Sequence, residues 1–224
     1  MISVIIPTLN EERHIGRCIE ALRAAIADCE IIVCDGGSSD MTRDIAIGFR
    51  GVTVIGSEKS RGVQMNRGAT HAKGDVLLFL HADTVLEEGW AEEIENALTD
   101  GSVIGGAFTF SIGNPAMKYR LVEVWVKMRC RVFRLPYGDQ GMFIRRDSFI
   151  KLGGYRNIPL MEDVDIINRM KNLGKIAILN RKAATSGRRW AKKGIIRTAA
   201  INQTTMLCYL IGVSPERLAK FYYR

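Results

Sequence analysis

Ile2–Pro7 reads Ile-Ser-Val-Ile-Ile-Pro and continues directly into Thr-Leu-Asn-Glu-Glu, and residues 31–40 repeat the arrangement as Ile-Ile-Val-Cys-Asp-Gly-Gly-Ser-Ser-Asp. Each apolar run is rich in β-branched residues and too short for a helix, which predicts a buried parallel strand. In open α/β sheets, ligands bind outside the carboxyl ends of such strands. The polar clusters that follow the two runs, one of them carrying Asp35, therefore indicate a nucleotide pocket.

The rest of the first half continues this alternation of strands and helices. Short apolar runs predict the strands, and amphipathic stretches predict the helices between them. The predicted strands are Glu30–Asp35, Val52–Ile55 and Val76–Leu80, and the predicted helices are Glu11–Ala27, one beginning near Ser39 or Asp40, Gly62–Thr70 and Glu88–Leu98. This order implies an α/β fold with a mainly parallel central sheet, flanking helices and right-handed crossovers.

The second half is less regular than the first. Its pattern predicts strands at Ile104–Ser111, Met142–Arg145 and Ile176–Leu179, and a helix at Asp163–Leu173. The sequence contains no internal repeat, low-complexity segment or linker. We therefore expect one domain over residues 1–190, followed by a C-terminal helical extension over residues 191–224.

Composition narrows the class of protein. The chain has 224 residues, of which 47% are hydrophobic, and five scattered cysteines without CxxC spacing. There is no run of about 18 apolar residues and no charged leader, so we expect neither a transmembrane helix nor a signal peptide. The cysteines are typical of reduced thiols in a cytoplasmic protein.

The charge divides unevenly along the chain. Residues 1–112 carry 9 Lys and Arg against 17 Asp and Glu (net −8), and residues 113–224 carry 23 against 7 (net +16). A basic half is typical of proteins that bind nucleic acid, a membrane surface or a phosphorylated substrate. A solvated basic surface without a partner has the same composition.

A third polar cluster ends the strand predicted before Thr84. Residues 77–84 read Leu-Leu-Phe-Leu-His-Ala-Asp-Thr and place His81 and Asp83 at the carboxyl end. Oxygen ligands suit Mg²⁺ or Mn²⁺, which bind one or two carboxylates together with phosphate oxygens. A strand-end Asp is also a common helix cap, so the residue type alone leaves both roles open.

Taken in order, these motifs resemble the start of the family 2 glycosyltransferases, which are inverting enzymes with the GT-A fold. The resemblance extends over about residues 1–190, and includes Met-Glu-Asp-Val-Asp from Met161 and Arg-Arg-Trp from Arg188. It implies metal-assisted transfer of a sugar from a UDP- or GDP-linked donor, in a small bacterial cytosolic subgroup. His81 replaces the first Asp of the family's Asp-x-Asp motif. Asp83 remains the implied ligand of Mn²⁺ or Mg²⁺.

The resemblance also implies roles for the other site residues. The implied nucleotide-binding residues are Pro7, Thr8, Asn10, Glu11, Asp35, Gly36, Arg61, Asn66, His81, Ala82, Arg188 and Arg189. Among them Asp35 would read the base, and the two arginines would cradle the diphosphate. The acceptor and sugar side would be lined by Gly138, Asp139, Gln140 and Trp190. Asp163, with Glu162 as the second choice, would be the general base that deprotonates the acceptor hydroxyl.

Each of these segments also has an ordinary structural interpretation. Arg61 and Asn66 fit a polar helix face, and residues 138–141 fit a hairpin turn. Acidic residues at 162–165 are favoured at any helix N-terminus by the helix dipole. Residues 188–190 fit a basic surface loop.

Two amphipathic segments remain in the basic half. Leu121, Trp125, Met128, Val132 and Leu135 form an apolar stripe, with Arg120, Lys127, Arg131 and Arg134 on another face. This pattern predicts either a core helix with a solvated basic back or a helix on an anionic membrane, which would suit a lipid-linked acceptor and a peripheral position on the inner face of the membrane. The tail reads as a helical hairpin that packs on the domain, forms a homodimer or touches lipid.

Two other classes of protein share some of these features. A nucleotidyltransferase shares such a sheet but is expected to carry a Gly-rich basic signature after the first strand, where this chain has Asn10–Glu12. A non-catalytic nucleic-acid binder accounts for the basic half and leaves the acidic strand ends without a role. We therefore expect no nucleic-acid partner.

Overall fold

A twisted eight-stranded sheet forms the centre of the computed structural model, which describes residues 1–25, 29–114 and 116–222. The strands are β1 (Ile2–Thr8), β2 (Glu30–Asp35), β3 (Val52–Gly56), β4 (Val76–Phe79), β5 (Thr84–Leu86), β6 (Val103–Ile112), β7 (Met142–Arg145) and β8 (Lys175–Thr185). The α-helices are α1 (Ile15–Ala25), α2 (Thr42–Ile47), α3 (Arg61–His71), α4 (Trp90–Ala97), α5 (Met117–Phe133), α6 (Arg146–Lys151), α7 (Glu162–Lys171), α8 (Arg188–Lys193), α9 (Ile195–Leu210) and α10 (Pro215–Tyr222). A short 3₁₀ helix covers Gly138–Gln140.

The sheet order is β3-β2-β1-β4-β7-β6-β8-β5. Strands β1 to β4 pair in parallel, as does β6 with β8, whereas β7 runs antiparallel to both of its neighbours and β5 runs antiparallel to β8. The predicted α/β class with a mostly parallel sheet is confirmed. Because Thr8 lies opposite Asp35 in the β1–β2 register, the two polar clusters meet at one edge of the sheet.

Apolar side chains cover both faces of the sheet. Helices α1, α2 and α4 pack on one face, while α3, α6 and α7 pack on the other. Each fully buried aliphatic side chain contributes roughly 1.5–3 kcal/mol. Gly68 permits the close approach of α3, since a Cβ there would lie 2.7 Å from the Cys34 sulfur. The tail joins this core through Met206 of α9 and Leu218 of α10.

Several predicted boundaries differ from the structure. Helix α2 begins at Thr42 and not at Ser39 or Asp40, because those two residues bind the loop after β1: the Ser39 N–H donates to Asn10, and Asp40 accepts from the Glu12 N–H. Helix α1 begins at Ile15, after a turn. Its predicted end at Ala27 lies outside the described residues. Strand β5 and helix α6 were not predicted, and β8 extends six residues beyond Leu179.

The packed face of α5 is a further correction. The helix buries Tyr119, Val122, Val126 and Cys130 against β6. The predicted stripe lies on the opposite side, where Leu121, Trp125, Met128 and Val132 are exposed, and only Leu135, beyond the helix, is buried. The interpretation of this stripe as the core face is therefore wrong. In the described part of the chain, no helix combines the length and the apolar character that crossing a bilayer requires.

Candidate active site

A cleft of about 1110 Å³ opens at the carboxyl ends of β1 and β4. Its walls come from the loops after these strands, the start of α3, and the segments that precede α7 and contain α8. The predicted site residues that line it are Pro7, Thr8, Glu11, Arg61, His81, Ala82, Asp83, Asp139, Glu162, Asp163, Arg188 and Trp190. The fold therefore brings together residues that are up to 183 positions apart in the sequence.

Asp35 lies beneath the cleft and organises its wall. The carboxylate is fully buried and accepts hydrogen bonds from the Thr8 hydroxyl (3.1 Å), the Gly37 and Ser38 N–H groups (3.0 and 2.9 Å) and the Ser38 hydroxyl (2.5 Å). These bonds hold the β1 and β2 loops in one arrangement. The predicted role of Asp35 in reading a base is not supported by this geometry, because the carboxylate oxygens are already occupied.

Asn10 and Gln64 complete the same wall. Asn10 has a left-handed backbone (φ 55°), its N–H donates to the Ser38 hydroxyl, and its side-chain oxygen accepts from the Ser39 N–H. Asn10 and Gly36 support the wall, whereas Thr8 and Glu11 line the cleft. The buried Gln64 amide donates to the Thr8 and Cys34 carbonyls at 2.7 and 2.8 Å. Sequence reasoning missed Gln64, because a polar residue on a polar stretch of helix gives no sign of burial.

Asp83 forms an acidic centre with Glu11 at the end of β4. Arg188 lies between the two carboxylates, with its guanidinium nitrogen 2.5 Å from Glu11 Oε1 and 3.5 Å from Asp83 Oδ2. Burial raises the pKa of Asp83 above its usual value, and Arg188 opposes that shift. Asp83 with phosphate oxygens is a donor set of the kind Mg²⁺ and Mn²⁺ prefer. Among the described residues, there is no cluster of three or more His, Cys, Asp or Glu side chains that could hold a metal ion by themselves.

His81 and Glu162 flank the centre of the cleft. Burial lowers the pKa of His81 to about 3, with a further contribution from Arg61, so its imidazole is neutral at pH 7. Arg61 forms an ion pair of 2.9 Å with Glu162, which is almost fully buried. Burial raises the pKa of Glu162, and Arg61 partly offsets this. Glu162 therefore anchors Arg61 in the wall of the cleft.

Asp163 lies at the start of α7, where the backbone of the preceding Met161 is left-handed (φ 69°). One carboxylate oxygen accepts from the Gly138 N–H and the other from the Val164 N–H, both at 2.8 Å. A positive φ at a non-glycine residue costs about 1–3 kcal/mol and persists where surrounding structure imposes it. The Met161 backbone lies directly before α7, and Asp163 lines the cleft from the first turn of that helix.

Asp139 and Tyr137 line the same wall as Asp163. Burial raises the pKa of Asp139 to about 6, with Arg129 opposing and Asp163 reinforcing the shift. Burial also raises the pKa of Tyr137 to about 12, and its ring lies 3.6 Å from the Arg129 guanidinium. Tyr137 was not among the predicted site residues. Its position beside the Gly-Asp-Gln segment was the available signal.

Asn66 and Gln140 lie outside the cleft lining, as Asn10, Asp35, Gly36 and Gly138 do. The Asn66 amide forms two hydrogen bonds with the Tyr155 backbone, both of 2.8 Å, and so ties α3 to the loop after α6. Gln140 is buried and donates to the Phe108 carbonyl at 2.9 Å, while its oxygen accepts from the Tyr137 N–H. These residues support the structure. The side chain of Arg189 lies outside the described part of the chain.

The cleft and sheet match a known family. Residues 3–153 match the model of Glycosyl transferase family 2. The chain belongs to this family. The match ends before Glu162, Asp163 and Arg188, so it carries no information on the roles of those three residues.

Curated relatives and solved structures agree with this family. A PGL/p-HBAD biosynthesis glycosyltransferase of Mycobacterium tuberculosis is 33% identical over an alignment of 173 residues, which covers 69% of this chain and 63% of that protein. Glycosyltransferase AglE of Haloferax volcanii is 25% identical over 70% of this chain and 56% of its own length. This member of family 2 therefore spans less than two thirds of these relatives.

Among solved structures, a glucosyl-3-phosphoglycerate synthase of Mycobacterium tuberculosis, in complex with Mn²⁺, UDP and glucosyl-3-phosphoglycerate, superposes with a TM-score of 0.63. It is 22% identical, and the similarity covers 83% of this chain and 71% of the other. At this identity the likeness concerns the fold, which is of the GT-A type. The same synthase has also been crystallised with Mg²⁺ and UDP.

Proposed function

We propose that this protein transfers a sugar from a UDP- or GDP-linked donor to a hydroxyl or phosphate group of an acceptor, with inversion at the anomeric carbon. The observation that carries the proposal is the convergence of three groups in one cleft. Asp83 and Arg188 provide an oxygen ligand and a cation at one end, and Asp163 provides a positioned carboxylate at another.

The nucleotide and its diphosphate would lie against the β1 and β2 loops. Arg188 can form paired hydrogen bonds with phosphate oxygens once it leaves Glu11, because a planar guanidinium matches that geometry. Asp83 would hold Mn²⁺ or Mg²⁺ together with diphosphate oxygens, and the bound ion would stabilise the negative charge on the departing nucleoside diphosphate. The neighbouring structure with Mn²⁺ and UDP supports this arrangement.

The acceptor would enter beside Asp163. In an inverting displacement, the acceptor oxygen attacks the anomeric carbon as the bond to the diphosphate breaks, and the proton of the hydroxyl passes to a carboxylate oxygen. The Gly138 N–H fixes Asp163 for this step. Trp190 and Tyr137 shield the cleft from water, which favours transfer to the acceptor over hydrolysis.

The proposal also includes a cytoplasmic location and a lipid-linked acceptor. All five cysteines are free thiols, which is typical of the cytoplasm. The net charge of +16 on residues 113–224 (23 basic against 7 acidic residues) supports a lipid-linked acceptor at an anionic membrane surface. A homodimer through the C-terminal helices belongs to the same proposal, and the molecular mass in solution tests it.

A thermal-shift screen tests the proposal. The purified chain is heated with UDP-, GDP- and dTDP-sugars, each with Mn²⁺ and with EDTA. We expect one class of nucleotide sugar to raise the melting temperature by several degrees in the presence of Mn²⁺. Asp83→Ala should remove that shift, whereas Asp147→Ala, a change at the start of α6 on the periphery of the fold, should retain it. No shift with any nucleotide sugar would contradict the proposal.

A further inference from the structure

Helix α5 has two apolar faces, and only one is packed. Tyr119, Val122, Val126 and Cys130 face the sheet. Six large apolar residues lie on the opposite side within an arc of roughly 100°, at the usual 100° per residue. They are Met117, Leu121, Val124, Trp125, Met128 and Val132, with exposed fractions between 39% and 78%. We call these six residues the outer stripe.

Basic side chains border the outer stripe. Lys118 lies along one edge, and Lys127 and Arg131 lie along the other, all three exposed. Over residues 113–138 the chain carries six Lys and Arg (118, 120, 127, 129, 131 and 134) against one acid, Glu123, a net charge of +5. Glu123 is already engaged, since it forms an ion pair of 2.7 Å with Arg120.

The outer stripe adjoins the cleft. Arg129 of α5 lies against two aromatic rings: that of Trp125, in the outer stripe, and that of Tyr137, which lines the cleft. Trp190 lines the cleft too and packs against the buried side of α5. A surface that contacts α5 is therefore next to the wall that carries Asp139 and Asp163.

We propose that the outer stripe of α5 docks the protein on an anionic phospholipid bilayer, with its apolar residues at the acyl boundary and the flanking Lys and Arg against the phosphate headgroups. An exposed apolar arc with basic borders is the pattern of helices that lie in a membrane interface. The charge argues against a second copy of the chain, because a twofold interface would bring two such basic borders together. Docking would place the acceptor side of the cleft at the lipid. This last step, the link to an acceptor, rests on the proposed function.

Flotation with vesicles tests the docking. Phosphatidylcholine vesicles and vesicles with 30% phosphatidylglycerol are mixed with the full chain at low and high salt. We expect binding to the anionic vesicles only, with strong loss at high salt, because screening shortens the reach of surface charge. Lys127→Gln/Arg131→Gln should weaken binding roughly 10- to 30-fold. Leu121→Gln/Met128→Gln should abolish it.

Matched controls carry the same changes elsewhere on the surface. Ile47→Gln/Ile150→Gln replaces two apolar residues with similar exposure, 60% and 63%, on α2 and α6, and Arg43→Gln/Lys151→Gln removes two exposed charges from the same helices. Both controls should float like the wild type. Absence of binding to anionic vesicles, or equal loss in the controls and the α5 variants, would overturn the proposal. So would a dimer in sedimentation equilibrium that Leu121→Gln/Met128→Gln dissociates.

The same variants separate this inference from the proposed function. UDP and GDP binding in the presence of Mn²⁺ should be unchanged in the α5 variants, because the outer stripe lies outside the cleft. Vesicle binding without nucleotide binding would contradict the proposed function alone. Nucleotide binding without vesicle binding would contradict the docking alone.

Discussion

The two walls of the cleft are built differently. On the wall formed by the β1 and β2 loops, the charged group at the base, Asp35, is fully buried and accepts four hydrogen bonds. On the wall formed by the Gly138 and α7 segments, burial raises the pKa of Asp139 and of Glu162. The first wall is a rigid support, and the second holds carboxyl groups in environments that perturb their protonation. Binding is therefore expected to depend on the first wall, and chemistry on the second.

The largest effect is expected at Asp163. Asp163→Asn keeps the shape of the side chain but cannot take up the proton, so kcat should fall by roughly 10²–10⁴-fold with donor affinity unchanged. Steady-state kinetics and UDP calorimetry measure the two quantities. Asp147→Asn, a matched change at the start of α6, should retain full activity. If Asp163→Asn is active and Glu162→Gln is inactive, the general base is Glu162 and not Asp163.

Asp35→Asn should instead lower stability. In the wild type, both carboxylate oxygens accept hydrogen bonds from N–H and O–H groups. The amide of Asn has only one such oxygen and turns its NH₂ group towards the remaining donors. We therefore expect a loss of about 2–4 kcal/mol in the free energy of unfolding. Urea denaturation measures this, with Asp44→Asn on the exposed side of α2 as control. Full stability of Asp35→Asn would remove the basis for calling this wall a rigid support.

Asp139→Asn should stabilise the protein in a pH-dependent way. The folded pKa of about 6 lies above the ordinary value of 3.8, so ionisation is harder in the folded state than in the unfolded state. The free-energy cost of ionising Asp139 in the folded state is absent below about pH 4, grows as the pH rises from 4 to 6, and is fully present above pH 6. Since one pKa unit corresponds to about 1.4 kcal/mol, the variant should be more stable than the wild type by about 3 kcal/mol at pH 7.5 and unchanged at pH 4. A gain of the same size at both pH values would contradict the assigned cause.

Asn66→Ala is expected to have the smallest effect. It removes two hydrogen bonds to the Tyr155 backbone and should cost about 1–2 kcal/mol of stability. Nucleotide affinity should not change, because the side chain does not line the cleft. A tenfold loss of UDP affinity in a folded Asn66→Ala variant would restore the contact with the nucleotide that the sequence predicted.

The fold was predictable where local sequence determines it. Short apolar runs specify β1 to β4, and the polar residues at the carboxyl ends of β1 and β4 place Thr8, His81 and Asp83 in the cleft. Strand β5 has only three residues and no apolar run, and exists because it pairs with β8. Local pattern carries no information on such a long-range partner.

The side-chain contacts within the site were less predictable. Asp35, Asn66 and Gln140 are polar residues at suitable positions, yet each forms a hydrogen bond with a residue distant in the sequence. These partners are Thr8, Tyr155 and Phe108, respectively. Helix α5 shows the same limit for apolar residues. Its sequence contains two apolar stripes, and only the tertiary contact with β6 shows which one packs.

We propose that Asp83 holds a metal ion on the nucleotide, whereas Asp163 serves only the chemistry. Calorimetric titration of UDP and GDP tests it, with Mn²⁺ and with EDTA, on wild type, Asp83→Ala and Asp163→Asn. We predict that one nucleotide binds to the wild type and to Asp163→Asn in a Mn²⁺-dependent way. Its binding to Asp83→Ala should be at least tenfold weaker. Equal affinity under all these conditions would contradict it and favour a metal-independent site built on Arg188.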